Sequence, residues 1–168
     1  PIKKKVNEYN EKKLKELLDK NIKFVEYNAE YKYSKTISND QKIFLKDCID
    51  KNKTINNYIK LCIGSQVIVN VSIPSQNLFN GSRGIIIGFD NNLPIVKFLD
   101  GKEKTIELYK WELDYGTIIS KIQIPLILGW AMTIHKSQGM TLDYVYTDIG
   151  DSIFEYGQTY VVLSRVKS

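Results

Sequence analysis

Apolar and polar residues change their spacing twice along the chain, and each change predicts a different kind of structure. In "VNEYNEKKLKELLDK" the apolar residues recur every three or four positions, which predicts an amphipathic helix. The following "IKFVEYNAEY" predicts a strand of mixed faces. The more polar remainder of residues 1–60 predicts an irregular insertion with one short helix around Gln41 to Asp50.

Residues 61–120 consist of short β-rich runs separated by turn signals. "SQVIVNVSI", "IIIGF", "IVKFL" and "KTIELYKWEL" predict strands, while "NGSRG", "DNNLP" and "DGKE" predict turns. Asn80-Gly81 is expected to supply the positive φ angles of a tight hairpin. Such runs predict a small barrel or sandwich of SH3-like or OB-like size. Phe98, Trp111 and Ile85–Ile87 are its candidate core.

Residues 121–168 have the pattern of an α/β domain. "IQIPLILGWA" is almost continuously apolar and predicts a strand buried on both faces, and "YVYTDIG" predicts a second strand. "GQTYVVLSRVKS" predicts a helix with Tyr160, Val161 and Leu163 in the core. The simplest fold is therefore an α/β domain interrupted by a small β module.

Composition adds limits to this picture. With 168 residues and 43% hydrophobic content, the chain can form one domain or two small ones, and wholesale disorder is excluded. Residues 1–60 carry 15 lysines against 9 acidic residues, whereas residues 61–168 carry 9 basic against 10 acidic residues. This lysine excess is either an attraction for a polyanion or a solvated helix face, and charge alone does not decide between them.

Metal, membrane and export functions find no support in the sequence. Cys48, Cys62 and the single histidine cannot form a usual zinc site, and reduced thiols are typical of an intracellular protein. No run approaches the roughly 20 apolar residues of a membrane span, and residues 1–13 lack a secretory apolar region. We therefore expect an intracellular protein with no membrane partner. Because the chain begins at Pro1 without methionine, we expect it to be a piece of a longer product.

The stretch "GWAMTIHKSQGMTLD" concentrates short polar groups directly after the apolar run. Thr133 is placed to cap a short helix, and Gly139 is placed to end it. Loops at the carboxyl ends of strands in α/β sheets bind ligands, and a helix N-terminus there suits a phosphate. His135, Lys136 and Ser137 would add donors. The alternative is that Thr133 merely caps, Gly139 merely terminates and His135 is a surface residue.

Arg165 is the second candidate for phosphate chemistry. It lies near the end of an otherwise apolar predicted helix, in a chain with only two arginines. Its guanidinium is suited to a phosphate oxygen and can stabilise charge that develops in phosphoryl transfer. The alternative is a positive charge that complements the C-terminal end of the helix dipole.

Two blocks of sequence, "IPLILGWAMTIHKSQGMTLDYV" and "FEYGQTYVVLSRVKS", resemble motifs V and VI of the Pif1-like DNA helicases, in the RecD-related branch of superfamily 1B. "IGSQVIVNV" and "LFNGSRGIIIGF" resemble the SH3-like 2B insertion of that family, and "VNEYNEKKL" resembles the helix that opens its second RecA-like domain. The resemblance implies a partial RecA-like P-loop-NTPase domain, 2A, formed by residues 1–60 and 121–168. Residues 61–120 would form the inserted SH3-like β-barrel, 2B.

The implied function is that of an ATP-dependent helicase that moves 5′ to 3′ on single-stranded DNA and opens forked DNA in replication, repair or recombination. By the same resemblance, Arg165 would reach the γ-phosphate as the catalytic arginine, and Gln138 and Gly139 would contact the nucleotide. Thr133, His135, Lys136 and Ser137 would contact DNA. Thr159 and Val162 replace alanines that are common in motif VI.

The chain departs from a complete motor in two respects. It contains no G-x-x-x-x-G-K-[ST] loop and no evident acidic magnesium-binding motif upstream. ATP and Mg²⁺ are therefore expected to be bound mainly by a first RecA-like domain, the predicted intramolecular partner. The segment alone is expected neither to hydrolyse ATP nor to unwind DNA.

The β module has two open interpretations. Arg83, with Phe79, Lys97 and Trp111, is a candidate contact for single-stranded DNA, because basic and exposed aromatic groups bind bases and phosphates. Alternatively, the aromatic residues form only the core. Two other functions also remain open, a non-catalytic nucleic-acid-binding module and a degenerate structural domain of a replication protein. A phosphate-binding loop encoded upstream would distinguish the motor from both.

Overall fold

A computed structural model describes residues 3–51, 55–137 and 158–164 of the chain. These residues form a mixed α/β structure with small sheets. In chain order the helices and strands are α1 Lys3–Leu18, β1 Phe24–Asn28, β2 Glu30–Tyr33, α2 Asn39–Asp50, β3 Tyr58–Cys62, β4 Gln66–Val69, β5 Arg83–Asp90, β6 Leu93–Phe98, β7 Glu103–Thr105, β8 Tyr109–Asp114, β9 Ile118–Gln123, β10 Leu126–Leu128 and α3 Gln158–Leu163. Two short 3₁₀ turns span Pro74–Gln76 and Ile134–Ser137.

The strands form three sheets, and every strand pair within the described residues is antiparallel. The five-stranded sheet has the order β10-β4-β5-β6-β7, so it combines β4–β7 of the predicted β module with β10 from outside it. The single strand predicted over "KTIELYKWEL" is wrong, because it is divided into β7 and β8, which belong to different sheets. A second sheet pairs β1 with β3, and a third has the order β2-β9-β8. The main core lies between the first two sheets and includes Leu61, Val67, Ile86 and Val96.

The hairpin between β5 and β6 is built by two asparagines. Asn91 and Asn92 have φ values of 46° and 65°, the left-handed region that a two-residue type I′ turn requires. The turn predicted at "DNNLP" is therefore confirmed. The tight hairpin predicted at Asn80-Gly81 is wrong, because only Gly81 has a positive φ and a long connection, residues 70–82, joins β4 to β5.

Both N-terminal helices follow from local sequence rules. In α1 the residues Val6, Asn10 and Leu14 recur every four positions, and they are the buried residues of the helix. In α2 Ser38 and Gln41 form a reciprocal capping box, since each side chain accepts a hydrogen bond from the backbone amide of the other residue.

The single strand predicted over "IQIPLILGWA" is wrong. The segment is divided into β9 and β10, which belong to different sheets and pair antiparallel with β2 and β4. The division lies at Ile124 and Pro125. The amide of Ile124 donates to its neighbour's side chain, Gln123 Oε1, at 2.8 Å, and Pro125 has no amide to donate. The apolar composition correctly predicted the burial of residues 123–126, but the rest of the run is half-buried, and the break in strand pairing was not predicted.

The predicted core of the β module is partly confirmed. Ile86 and Phe98 are buried, but Ile85 and Ile87 are exposed, because successive side chains of β5 point to opposite faces. Trp111 is half-buried on β8, with its ring edge-to-face against Tyr109 at a centroid distance of 4.8 Å.

A buried cation connects α2 to β9. The Lys121 side chain is fully buried, and its Nζ donates to Asp50 Oδ1 at 2.7 Å, to Asn57 Oδ1 and to the carbonyl oxygen of Ile55 at 3.1 Å. The Tyr31 hydroxyl also donates to Asp50 Oδ1, at 2.7 Å. Every proton of the ammonium group therefore has an acceptor, as a buried charge requires.

Gln123 extends this polar network along β9. Its buried Nε2 donates to the carbonyl oxygens of Tyr27 and Asn56, each at 3.2 Å. The strand β9 is thus fixed to β1 and to the segment before β3 through side chains rather than through strand pairing alone.

The proposed division at residues 60 and 120 stays a prediction. The pairing of β10 with β4 and of β9 with β2 runs between segments assigned to different parts, so the pieces are closely connected. Within the described residues, no helix is both long and apolar enough to cross a membrane.

We expect Asp50→Asn to destabilise the fold by about 3 kcal/mol, because it leaves the Lys121 ammonium buried without its counter-charge. Burial raises the pKa of Asp50, but hydrogen bonds from Lys121 and Tyr31 outweigh it, and the net pKa lies below 3.8. A lowered folded-state pKa stabilises the fold above the unfolded-state pKa and ceases to do so as pH falls through the lowered value. The free energy of unfolding should therefore fall more steeply below about pH 4 in the wild type than in Asp50→Asn.

Asp47→Asn on the same helix is the matched control for this prediction. Its carboxylate pairs with Lys51 at 3.2 Å, but both side chains are largely exposed. We expect a change in unfolding free energy within about 0.5 kcal/mol in denaturant titrations. Equal losses in Asp47→Asn and Asp50→Asn would contradict the importance of the buried pair.

Candidate functional site

The polar stretch identified in the sequence begins where β10 crosses very close to β4. The amide of Gly129 donates to the carbonyl oxygen of Gln66 at 2.8 Å. A Cβ atom on Gly129 would lie 2.7 Å from Ile68 Cγ1, which is closer than side chains approach. Glycine at this position therefore lets the chain leave the sheet against β4.

The next residues are held by a side chain from α1. Asn10 is only 6% exposed, and its Oδ1 accepts a hydrogen bond from the Ala131 amide at 2.8 Å. Its Nδ2 donates to the carbonyl oxygen of Ala131 at 2.9 Å and to that of Leu128 at 3.5 Å. The Asn10 amide thus satisfies both backbone groups of Ala131, two residues before the predicted phosphate-binding turn.

The turn itself is a single 3₁₀ turn rather than an α-helix. The carbonyl oxygen of Thr133 accepts hydrogen bonds from the amides of Lys136 and Ser137, at 3.0 and 3.3 Å, so Thr133 occupies the predicted cap position. Ser137 is buried, and its hydroxyl donates to the carbonyl oxygen of Ile134 at 2.7 Å. The hydroxyl proton of Ser137 is therefore used inside the turn.

Lys136 is the exposed cation of this turn. Desolvation by the surrounding protein, followed by repulsion from the Lys3 ammonium, lowers the pKa of Lys136. The repulsion between the Lys3 and Lys136 ammonium groups, although smaller than the effect of desolvation, favours an anion over a further cation near them.

The structure brings several predicted site residues together and separates another. Thr133, Lys136 and Ser137 lie in one turn, which also contains the backbone of His135. Arg83 is half-buried at the start of β5, opposite Ile68 of β4. Gln138, Gly139 and Arg165 lie outside the described residues, so their predicted roles stay predictions.

The helix α3 lies against the 3₁₀ turn of Ile134–Ser137, so the two recognised sequence blocks are neighbours in space. The core role predicted for Tyr160 and Leu163 is wrong within the described structure, where they are 75% and 60% exposed. The six residues of α3 point to all sides of a short helix. The apolar run in the sequence did not show which of these side chains would be exposed.

Sequence reasoning missed Asn10 as part of this site. The signal was present, because Asn10 is a polar residue on the apolar face that Val6 and Leu14 define. A polar residue at such a position needs a buried partner, and only the fold supplies the backbone of Ala131.

Metal binding finds no support in the described part of the chain. There, no group of three or more histidine, cysteine, aspartate or glutamate side chains is arranged to hold a metal ion. The donors that the site does present are hydroxyl, amide and ammonium groups, which suit an anion.

Comparison with known proteins gives a consistent result. A scan against models of protein families finds no match. The chain is 41% identical over 131 residues to the ATP-dependent DNA helicase PIF1 of Homo sapiens, which covers 74% of the chain. It also matches a crystal structure of Pif1 helicase from Candida albicans with a TM-score of 0.74, 30% identity and 98% of the chain covered. The chain belongs to the Pif1-like helicases.

A further solved structure extends the comparison for this Pif1-like chain. Pif1 helicase from Bacteroides, in complex with ADP-AlF3 and single-stranded DNA, matches with a TM-score of 0.71 and 28% identity over 99% of the chain. These neighbours confirm the predicted fold class, part of a RecA-like α/β domain. The chain spans 20% of the length of the human protein, 41% of the Candida structure and 37% of the Bacteroides structure.

We expect Gly129→Ala to destabilise the Pif1-like fold by about 1–3 kcal/mol, because the added methyl group must displace Ile68. Gly88→Ala on β5 is the control, since its Cβ would meet only Ile95 Cδ1 at an ordinary 3.7 Å. That change should be neutral or stabilise by less than about 1 kcal/mol. Chemical denaturation measures both, and an undiminished stability of Gly129→Ala would show that β4 yields at this crossing.

Proposed function

We propose that the chain is the second motor half of an ATP-dependent, 5′-to-3′ DNA helicase of the Pif1 type. The observation that carries this proposal is the contact between α3 and the Ile134–Ser137 turn, which joins the two sequence blocks shared with this family. The Bacteroides relative bound to single-stranded DNA and a nucleotide-phosphate analogue supports the same ligands here.

In the proposed mechanism, ATP and Mg²⁺ are held mainly by a first RecA-like domain of the same protein. Arg165, which follows α3 in the sequence, contacts the γ-phosphate when the cleft between the two domains closes. Its guanidinium then stabilises charge that develops on the transferred phosphoryl group. Gln138 and Gly139, which follow the Ile134–Ser137 turn in the sequence, are the proposed nucleotide contacts.

The DNA contact is proposed on the opposite side of this cleft. The turn that contains Thr133, His135 and Lys136 faces a phosphate of single-stranded DNA. Desolvation is the larger cause of the lowered Lys136 pKa, but the smaller cause, repulsion from the Lys3 ammonium, supports this assignment, because a phosphate would relieve that repulsion. Ser137 contributes through its position in the turn, since its hydroxyl proton is occupied by Ile134.

Closure and reopening of the cleft would move this turn relative to the DNA grip of the first domain. Repetition of that movement translocates the strand, and a fork ahead of the enzyme is opened. Arg83 of the β module is a further proposed DNA contact, either for the strand on which the enzyme moves or for the displaced strand. Its side chain is half-buried at the start of β5.

In the full-length protein, Arg165→Ala should lower DNA-stimulated ATPase turnover by about 10³-fold with little loss of DNA affinity, because an arginine at the γ-phosphate acts mainly in the transition state. Lys167→Ala removes a nearby charge and should retain turnover. Steady-state ATPase rates and fluorescence anisotropy with labelled single-stranded DNA measure the two quantities. Equal losses of ATPase activity and DNA affinity in Arg165→Ala would assign the arginine to DNA instead.

Lys136→Gln in the full-length protein should weaken single-stranded DNA binding uniformly across sequences. The slope of log affinity against log salt concentration should become shallower by about 0.7, the value for one lost phosphate contact. Lys51→Gln is the control, because this exposed lysine pairs with Asp47 on α2. An unchanged slope for Lys136→Gln would remove the turn from the DNA interface.

A further inference from the structure

We propose that Asn10 is a positioning residue that joins α1 and the DNA-contacting turn into one rigid unit. The proposal rests on the helicase function proposed above and adds a residue that lies outside the two blocks compared with motifs V and VI. Its basis is the closed set of hydrogen bonds between one side-chain amide and the backbone of residues 128–131.

The geometry of this contact is specific to asparagine. Asn10 Oδ1 accepts a hydrogen bond from the Ala131 amide at 2.8 Å. Asn10 Nδ2 donates to the carbonyl oxygen of the same residue at 2.9 Å. This pairing requires a donor and an acceptor side by side on one planar group. An ionised carboxylate offers no donor, and an aliphatic side chain leaves both backbone groups of Ala131 without their partner.

The contact is also well placed to control the turn. Ala131 is followed by Met132 and then by Thr133, whose carbonyl oxygen accepts the first hydrogen bonds of the turn. On the other side, Gly129 is fixed to Gln66 of β4 at 2.8 Å. Of the three residues between the β4 contact and Thr133, the central one, Ala131, is therefore held by the Asn10 amide, which is buried between Val6 and Leu14 on α1.

A consequence for function follows from this placement. If the turn shifts relative to α1, Lys136 no longer faces the DNA phosphate in register with the rest of the grip. A displacement of about 1 Å can cost as much as 10²-fold where groups must be aligned. Asn10 would then affect DNA coupling while touching neither DNA nor nucleotide.

The test uses three variants of the full-length protein, Asn10→Leu, Asn10→Asp and Asn7→Asp. Asn7 is exposed on the same helix, so Asn7→Asp reproduces the charge change without the buried contact. For Asn10→Leu we expect about a tenfold rise in the DNA concentration that half-maximally stimulates the ATPase, with the basal nucleotide affinity unchanged. Asn7→Asp should behave as the wild type.

The pH dependence of Asn10→Asp distinguishes the hydrogen-bonding role of Asn10 from a role in packing alone. A protonated carboxyl group has one donor and one acceptor side by side and can restore the pairing with Ala131. When ionised, it places negative charge against the carbonyl oxygens of Leu128 and Ala131. We therefore express the DNA-stimulated ATPase rate of Asn10→Asp as a ratio to the wild-type rate at the same pH. This ratio should rise at least fivefold as the pH is lowered from 8 to 6.

The ratio to the wild type cancels pH effects from other groups, including His135, Lys136 and Lys3. In Asn10→Leu the same ratio should not change with pH. Recovery in Asn10→Asp alone supports the positioning role. Loss of DNA stimulation in Asn10→Asp that is independent of pH, or wild-type behaviour of Asn10→Leu, overturns it.

Hydrogen exchange separates this proposal from the helicase function. In Asn10→Leu the amides of Ala131, Lys136 and Ser137 should lose protection at least tenfold, while β5 and β6 retain theirs. If the wild type shows no DNA-stimulated ATPase, the helicase proposal fails, and the exchange result still decides the role of Asn10. Unchanged protection of the turn amides would overturn the positioning role, and a uniform loss over all strands would reassign Asn10 to global stability.

Discussion

The fully buried ammonium group of Lys121 is the constraint on which the arrangement of this chain depends. A buried charge is tolerated only when each proton finds an acceptor, and here the acceptors come from α2 and from the segment before β3. Asp50, Asn57 and Ile55 converge on one atom, which restricts how α2 packs on β9. The network selects an arrangement more than it adds stability, since buried ion pairs are often no better than apolar packing.

This constraint extends along the chain to the functional turn. Gln123, two residues after Lys121, fixes the end of β9 to the backbone of Tyr27 and Asn56. Pro125 then ends the pairing, and β10 continues on β4 in the other sheet. Between β10 and Thr133, Gly129 is hydrogen-bonded to Gln66 and Ala131 is hydrogen-bonded to Asn10. The position of this four-residue turn is therefore determined by contacts with two sheets and with α1.

The sequence allowed a sound prediction of the parts that depend on local rules. The amphipathic spacing of α1, the short helix around Gln41 to Asp50 and the turn at "DNNLP" each have a local physical cause, and each was confirmed. The motif blocks identified the family because their order and residue choices are specific. The cap position of Thr133 was also predictable from its place after an apolar run.

The remaining features depend on contacts between distant segments, which spacing alone does not encode. The apolar run over residues 122–131 reports burial, but it carries no information about which sheet each half joins. Asn10 contacts residues more than 100 positions away, so its role was not visible from α1. Ser137 looked like a free donor until the fold showed its hydroxyl turned inward.

The pairing of β2 with β9 has a consequence for how this chain tolerates change. Glu30 lies beside Ile122 and Tyr33 beside Ile119, so the two ends of the intervening region are held together, but β3 and β4 within it also pair with β1 and β10 outside it. Lengthening a segment whose two ends are already joined costs little conformational entropy, because the cost grows only with the logarithm of its length. Extra residues are therefore tolerated in the exposed loops of this region, whereas its exchange as a whole would remove β3, β4 and most of the main core.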